Sequence, residues 1–256
     1  MSKRKRFIIS SILCSLGFIG ILFLPSNFRF ISIGVLGLVT LMLFVWSLRE
    51  GLGFDMTLMT LVLPFFFTVS VGFFWFLLPK GIFTYIVAIA VYSISVYALF
   101  LTSNIYTVAA IRTIALLRAA RGVGFVLTLF TFFLVFDAIV SFRWPVYLSA
   151  TLVAACSLPL FIQGYWIVNL EKVLRKDLLA MSVIASFIMG EIAVSLFFWP
   201  VTVVVGSLFL TVSVYVLLGL GQAKLEERLF AQTIREYLII GVAVFAAMFF
   251  VTRWGG

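Results

Sequence analysis

No histidine occurs anywhere in the 256 residues. Its absence removes the commonest general base, proton shuttle and metal ligand. A Ser–His hydrolase pair and an HExxH zinc motif are excluded with it. Cysteine is nearly absent: Cys14 and Cys156 stand alone inside apolar runs, with no CxxC pair or disulfide framework, and read as small hydrophobes. Acids number only nine and are scattered, Glu226–Glu227 being the one adjacent pair. That leaves no aspartate cluster of the kind that holds Mg²⁺–diphosphate. P-loop and GxGxxG motifs are missing too. The residues therefore predict no catalytic group, no metal and no cofactor.

Charge of either sign is scarce, at 11% of residues, while 64% are hydrophobic and the mean hydropathy is +1.28. Soluble domains run nearer half apolar and a quarter charged. The apolar residues come in blocks of about 18 or more, enough to cross roughly 30 Å of hydrocarbon at 1.5 Å per residue. The expected fold is all-α: a polytopic transmembrane helical bundle of about nine spans, near 7–24, 30–48, 56–78, 82–102, 122–142, 145–168, 178–198, 200–220 and 237–252. The N-terminal "MSKRKRFIISSILCSLGFIGILFLPSN" has a basic start, but a long apolar run and no A-x-A site. It reads as an uncleaved first span.

The net charge of +9 does not point to nucleic acid, because the basic residues lie in short connections beside the spans, as orientation signals do. With the N-terminus in the cytoplasm, 14 of the 18 basic residues fall inside; only Arg29, Lys80, Arg143 and Arg253 fall outside. The C-terminus is then extracytoplasmic, and tiny outer loops point to a prokaryotic plasma membrane. Tryptophans agree: Trp46 and Trp166 fall near the inner interface, and Trp75, Trp144, Trp199 and Trp254 near the outer one. Pro25, Pro79, Pro145 and Pro200 fall one in each outer hairpin, while Pro64 and Pro159 lie inside spans.

An internal duplication is a further expectation. "TYIVAIAVYSISVYALFLTSN" (84–104) aligns without gaps to "TVVVGSLFLTVSVYVLLGLGQ" (202–222), sharing Ser-Val-Tyr. Two parallel four-helix repeats, 7–121 and 122–222, with a final span 237–252, would produce it. So would chance likeness between apolar segments drawn from few residue types.

Three cytoplasmic connections carry the remaining charge. The stretch 103–121, with Arg112, Arg118 and Arg121, is placed outside the hydrocarbon as a helix of its own, with Ser103 and Asn104 as N-cap residues. "LEKVLRKD" (170–177) puts Leu170, Val173 and Leu174 on one helical face and permits a Glu171–Arg175 pair. The 221–237 segment begins at Gly221, read as a helix C-cap. Arg112, Arg118, Arg121, Lys172, Arg175 and Lys176 are candidate contacts for anionic headgroups or a protein partner; plain connectors with a positive-inside bias would look the same.

Two acids break the pattern. Asp137 and Glu191 lie inside spans five and seven, where an ionised carboxylate costs about 3 kcal/mol on insertion scales. Both fall about 8–10 Å below the outer surface at 1.5 Å per residue, so they could share a proton or a cation, or Asp137 could pair with Arg143. Ser182, Ser186 and Gly190 repeat at spacing four beside Glu191, a small-residue stripe that lets another helix approach. This predicts a span seven in the interior, with Glu191 facing protein. The sequence thus supports a non-enzymatic structural or partner-binding membrane component. The alternative is a small proton- or cation-coupled transporter or channel using Glu191 and Asp137, and a lipid-active enzyme is the third reading.

Overall fold

The computed structural model describes residues 3–22, 24, 26–48, 54–77, 81–110, 115–171 and 174–252, apart from the side chains at 22, 26–27 and 54–57. Among these the chain forms nine α-helices and no strand: α1 Lys3–Leu22, α2 Ser26–Leu48, α3 Phe54–Leu77, α4 Ile82–Ala109, α5 Leu117–Ser141, α6 Val146–Asn169, α7 Lys176–Phe197, α8 Val203–Leu225 and α9 Ala231–Val251. Eight of them are long and apolar enough to span a membrane; α1, which opens on four basic residues, is the exception. Hydrocarbon offers backbone groups no water, so a helix that satisfies them within one segment is the available solution. Pro64 and Pro159 sit within α3 and α6, Pro145 is the N-cap residue of α6, and Pro200 lies in the α7–α8 turn. Pro25 and Pro79 lie outside the described residues.

The chain divides into two compact units, Met1–Thr131 and Phe132–Gly256, with the boundary inside α5. In the first, α1 packs on α2 and α4, and α3 lies against α2 and α4. Its core is aromatic: Phe44 stacks on Phe100 at 3.8 Å between ring centroids, and Phe18 on Tyr92 at 4.7 Å. A buried chain of weak polar contacts runs through that core. Cys14 Sγ lies 3.7 Å from Thr40 Oγ1, the Thr68 hydroxyl donates to Thr40 at 3.4 Å, and the Tyr92 hydroxyl donates to Thr68 at 3.3 Å. Ser10 meets Ser47 at 2.8 Å and Ser15 meets Ser93 at 2.7 Å. Because lipid tails are as apolar as leucine, shape and such hydrogen bonds drive helix association here.

In the second unit α6 and α7 share the most extensive contact, α8 packs on both, and α9 leans on α8. Glycines and tyrosines make the approaches close. A side chain at Gly221 would collide with the Tyr165 ring, and one at Gly219 with Tyr237. The Tyr165 hydroxyl donates to the Leu217 carbonyl at 3.0 Å, and Gln222 Nε2 donates to the Gly164 carbonyl at 2.9 Å. In the register that aligns 84–104 with 202–222, Tyr92, Val96 and Phe100 match Leu210, Val214 and Leu218, and all six are fully buried. The two helices hide the same face.

Three local expectations are corrected. The helix predicted to begin at Ser103 does not exist: α4 runs on to Ala109. Its buried face continues through Thr102, Ser103, Tyr106 and Thr107, and the Thr102 hydroxyl returns to the Ala98 carbonyl at 3.0 Å. A hydroxyl that bonds back to a carbonyl of its own helix is not available to cap a new one. Gly221 is likewise no cap; α8 continues to Leu225 and Gly221 is buried against Tyr165. Of the 170–177 stretch, residues 170, 171, 174 and 175 are not helical, and α7 begins at Lys176. α6 ends with Leu170 in the left-handed region at φ 52°, and Trp166 Nε1 donates to the Glu171 carbonyl at 2.9 Å, which holds the turn.

Candidate functional site

Asp137 and Glu191 both fall in the second unit, but in different surroundings. Asp137, four residues before the end of α5, is only 4% exposed. The Ser207 hydroxyl of α8 lies within reach of its carboxylate, but it has a single proton and directs it to the Val203 carbonyl at 2.9 Å, so it can serve only one of the two acceptors at a time. Among the described residues the Asp137 Oδ1 atom has no hydrogen-bond partner, and neither has the buried Ser157 hydroxyl of α6. The proposed Asp137–Arg143 pair is not made. Arg143 is exposed, in the left-handed region at φ 49° in the turn between α5 and α6.

Glu191 is exposed, which corrects the expectation that it faces protein. The small-residue stripe explains why. Ser182, Ser186 and Gly190 are buried together with Ala185 and Met189, and a Cβ at Gly190 would lie 3.3 Å from Ala154 Cβ and 3.4 Å from the Ala150 carbonyl of α6. Glu191 is one residue, or about 100° of helix turn, beyond Gly190, and that rotation carries it out of the packed arc. It falls instead on an exposed stripe at spacings of three and four with Ile184, Phe187, Val194 and Phe198. Its carboxylate makes no ion pair or hydrogen bond among the described residues. The two acids are not joined to each other, and Glu191 does not line the large cavity of this unit.

That cavity, about 1030 Å³, lies where the ends of α5, α6, α7, α8 and α9 meet. Val140 of α5, one turn beyond Asp137, lines it, as do Gly206 and Leu210 on the face of α8 that carries Ser207. Asp137 and Ser207 themselves do not line it. Nothing in the composition announced the cavity. The hydroxyl chain of the first unit was also missed, although Ser10 and Cys14 in α1, at spacing four, carry a legible same-face signal.

The basic candidates separate. Arg118 and Lys176 are exposed. Arg121 is half-buried near Tyr106, whose hydroxyl donates to the Ala120 carbonyl at 2.8 Å and ties the end of α4 to the start of α5. Arg175 reaches Glu171 at 3.8 Å and Asp177 at 3.2 Å, exposed pairs of a kind that contribute little to stability. Arg112 and Lys172 lie outside the described residues.

Compared with known proteins, residues 11–251 match the family described as "Protein of unknown function (DUF5656)". No curated protein and no solved structure matches the chain.

Proposed function

The chain belongs to the DUF5656 family, and we propose that this multi-pass membrane protein is a non-enzymatic component that assembles with a partner through the exposed face of α7. The observation that carries the reading is Glu191: an exposed carboxylate with no partner among the described residues, in the middle of a stripe formed by Ile184, Phe187, Val194 and Phe198. It lies six residues from the end of α7, or about 9 Å along the axis. An acid at that depth is costly against lipid, and such residues face a partner or a hydrated cavity.

The chain's own helices offer no counter-charge. Every Lys and Arg within them lies in the first five or last two residues of its helix. A twofold pairing of copies through this face would set one Glu191 against another. The charge logic therefore favours a different protein whose membrane helix presents a cation or amide donor at that level. The basic bias supports a cytoplasmic N-terminus, an extracytoplasmic C-terminus and a prokaryotic plasma membrane as the setting. The test is charge exchange. A partner recovered by crosslinking from position 187 should lose association with the Glu191→Lys variant and regain it when its own facing cation is changed to Glu. Failure of the exchange would remove the reading.

The transport reading lacks the shared pocket it needs, since Asp137 is buried, Glu191 is exposed and neither lines the cavity.

A further inference from the structure

The cavity at the ends of α5–α9 combines features that no packing role uses. Its volume of about 1030 Å³ is at the upper end of the range that accommodates a small-molecule ligand, roughly 300–1,000 Å³. Its lining is mostly apolar, with Phe197, Val204 and Val251 presenting exposed surface, and it includes the exposed Trp144 and the half-buried Trp199. Among the described residues, Arg143 is the one charged residue that lines it. The Arg143 side chain is exposed and makes no hydrogen bond or ion pair among the described residues.

From this geometry we propose that the cavity binds an anionic membrane lipid, with the headgroup phosphate on Arg143 and the upper part of the chain against the apolar wall. Each part follows from the lining. A guanidinium is planar and presents paired donors that match phosphate oxygens. Tryptophan rims belong at headgroup level, where one end of the indole is apolar and the other wet. Free phosphate would satisfy Arg143 and leave most of the apolar surface uncovered, which is why the occupant is a lipid. This site is separate from the α7 stripe, so neither proposal depends on the other.

The test uses the full chain in a nonionic detergent, with Trp fluorescence quenched by brominated-chain phosphatidylglycerol or phosphatidylcholine. Phosphatidylglycerol should quench at about tenfold lower mole fraction, a difference corresponding to about 1.4 kcal/mol. Arg143→Gln should erase the preference, Arg143→Lys should keep a measurable part of it, and Phe at both 144 and 199 should remove the preferential signal. Equal quenching by the two lipids in the unaltered protein would overturn the proposal. So would a preference that survives Arg143→Gln, or loss of phosphatidylglycerol quenching on adding millimolar inorganic phosphate. If Arg143→Gln does not fold, the lipid comparison and the Phe replacements still decide.

Discussion

Gly190 of α7 lies so close to α6 that a Cβ there would stand 3.3 Å from Ala154 Cβ and 3.4 Å from the Ala150 carbonyl. The two neighbours differ in how they can respond: a methyl shifts by a few tenths of an ångström, whereas a carbonyl held in a helix does not. Gly190→Ala should therefore change stability little. Gly190→Leu should separate the helices and cost about 1–3 kcal/mol, the usual range for overpacking. Denaturation midpoints in detergent measure both.

Tyr165 makes a second close approach testable. Its hydroxyl bonds the Leu217 carbonyl while its ring occupies the space left by Gly221. Tyr165→Phe removes the bond alone, worth about 0.6 kcal/mol on average between membrane helices. Gly221→Ala displaces the ring as well and should cost more. Equal losses would mean that the ring position does not matter.

In the first unit, Thr68 stands between Tyr92 and Thr40. Thr68→Val and Tyr92→Phe each break the same Tyr92–Thr68 bond, so their combination should destabilise by less than the sum of the two. The shortfall in a double-mutant cycle should be about 0.6 kcal/mol and no more than roughly 1.7. Strict additivity would show the bond to be energetically silent.

Asp137 and Ser207 separate a structural acid from a functional one. Asp137→Leu removes a buried acid that has an oxygen unpartnered among the described residues, and because Ser207 keeps its bond to the Val203 carbonyl no donor is orphaned, so the change should be neutral or stabilising. Ser207→Ala leaves the carboxylate without its nearby hydroxyl and should cost about 1–3 kcal/mol. A large loss of stability with Asp137→Leu would show that the carboxylate has a partner this account lacks.

The spans were legible because oil-length apolar runs leave little choice of structure, and Pro145 and Pro200 marked their turns. The burial of Ser182, Ser186 and Gly190 was legible for a similar reason: spacing four fixes one face of a helix. Glu191 was misread because closeness in sequence was taken for closeness on that face, and a single residue rotates a helix by about 100°. The extent of α4 is hidden because Arg112, Arg118 and Arg121 weigh against hydrocarbon, while the buried face that continues through Thr102, Ser103, Tyr106 and Thr107 is too polar to register in hydropathy. The cavity was illegible for a deeper reason. It is a property of five helix ends at once, and no window along the chain contains them.

The most direct measurement is site-specific photo-crosslinking from position 187, one turn from Glu191, in native membranes. The account predicts a discrete adduct with another membrane protein, its attachment mapped to a helix that carries a basic or amide side chain at the same depth, and loss of that adduct in Glu191→Leu. Adducts with lipid alone, or with a second copy of this chain, would contradict it.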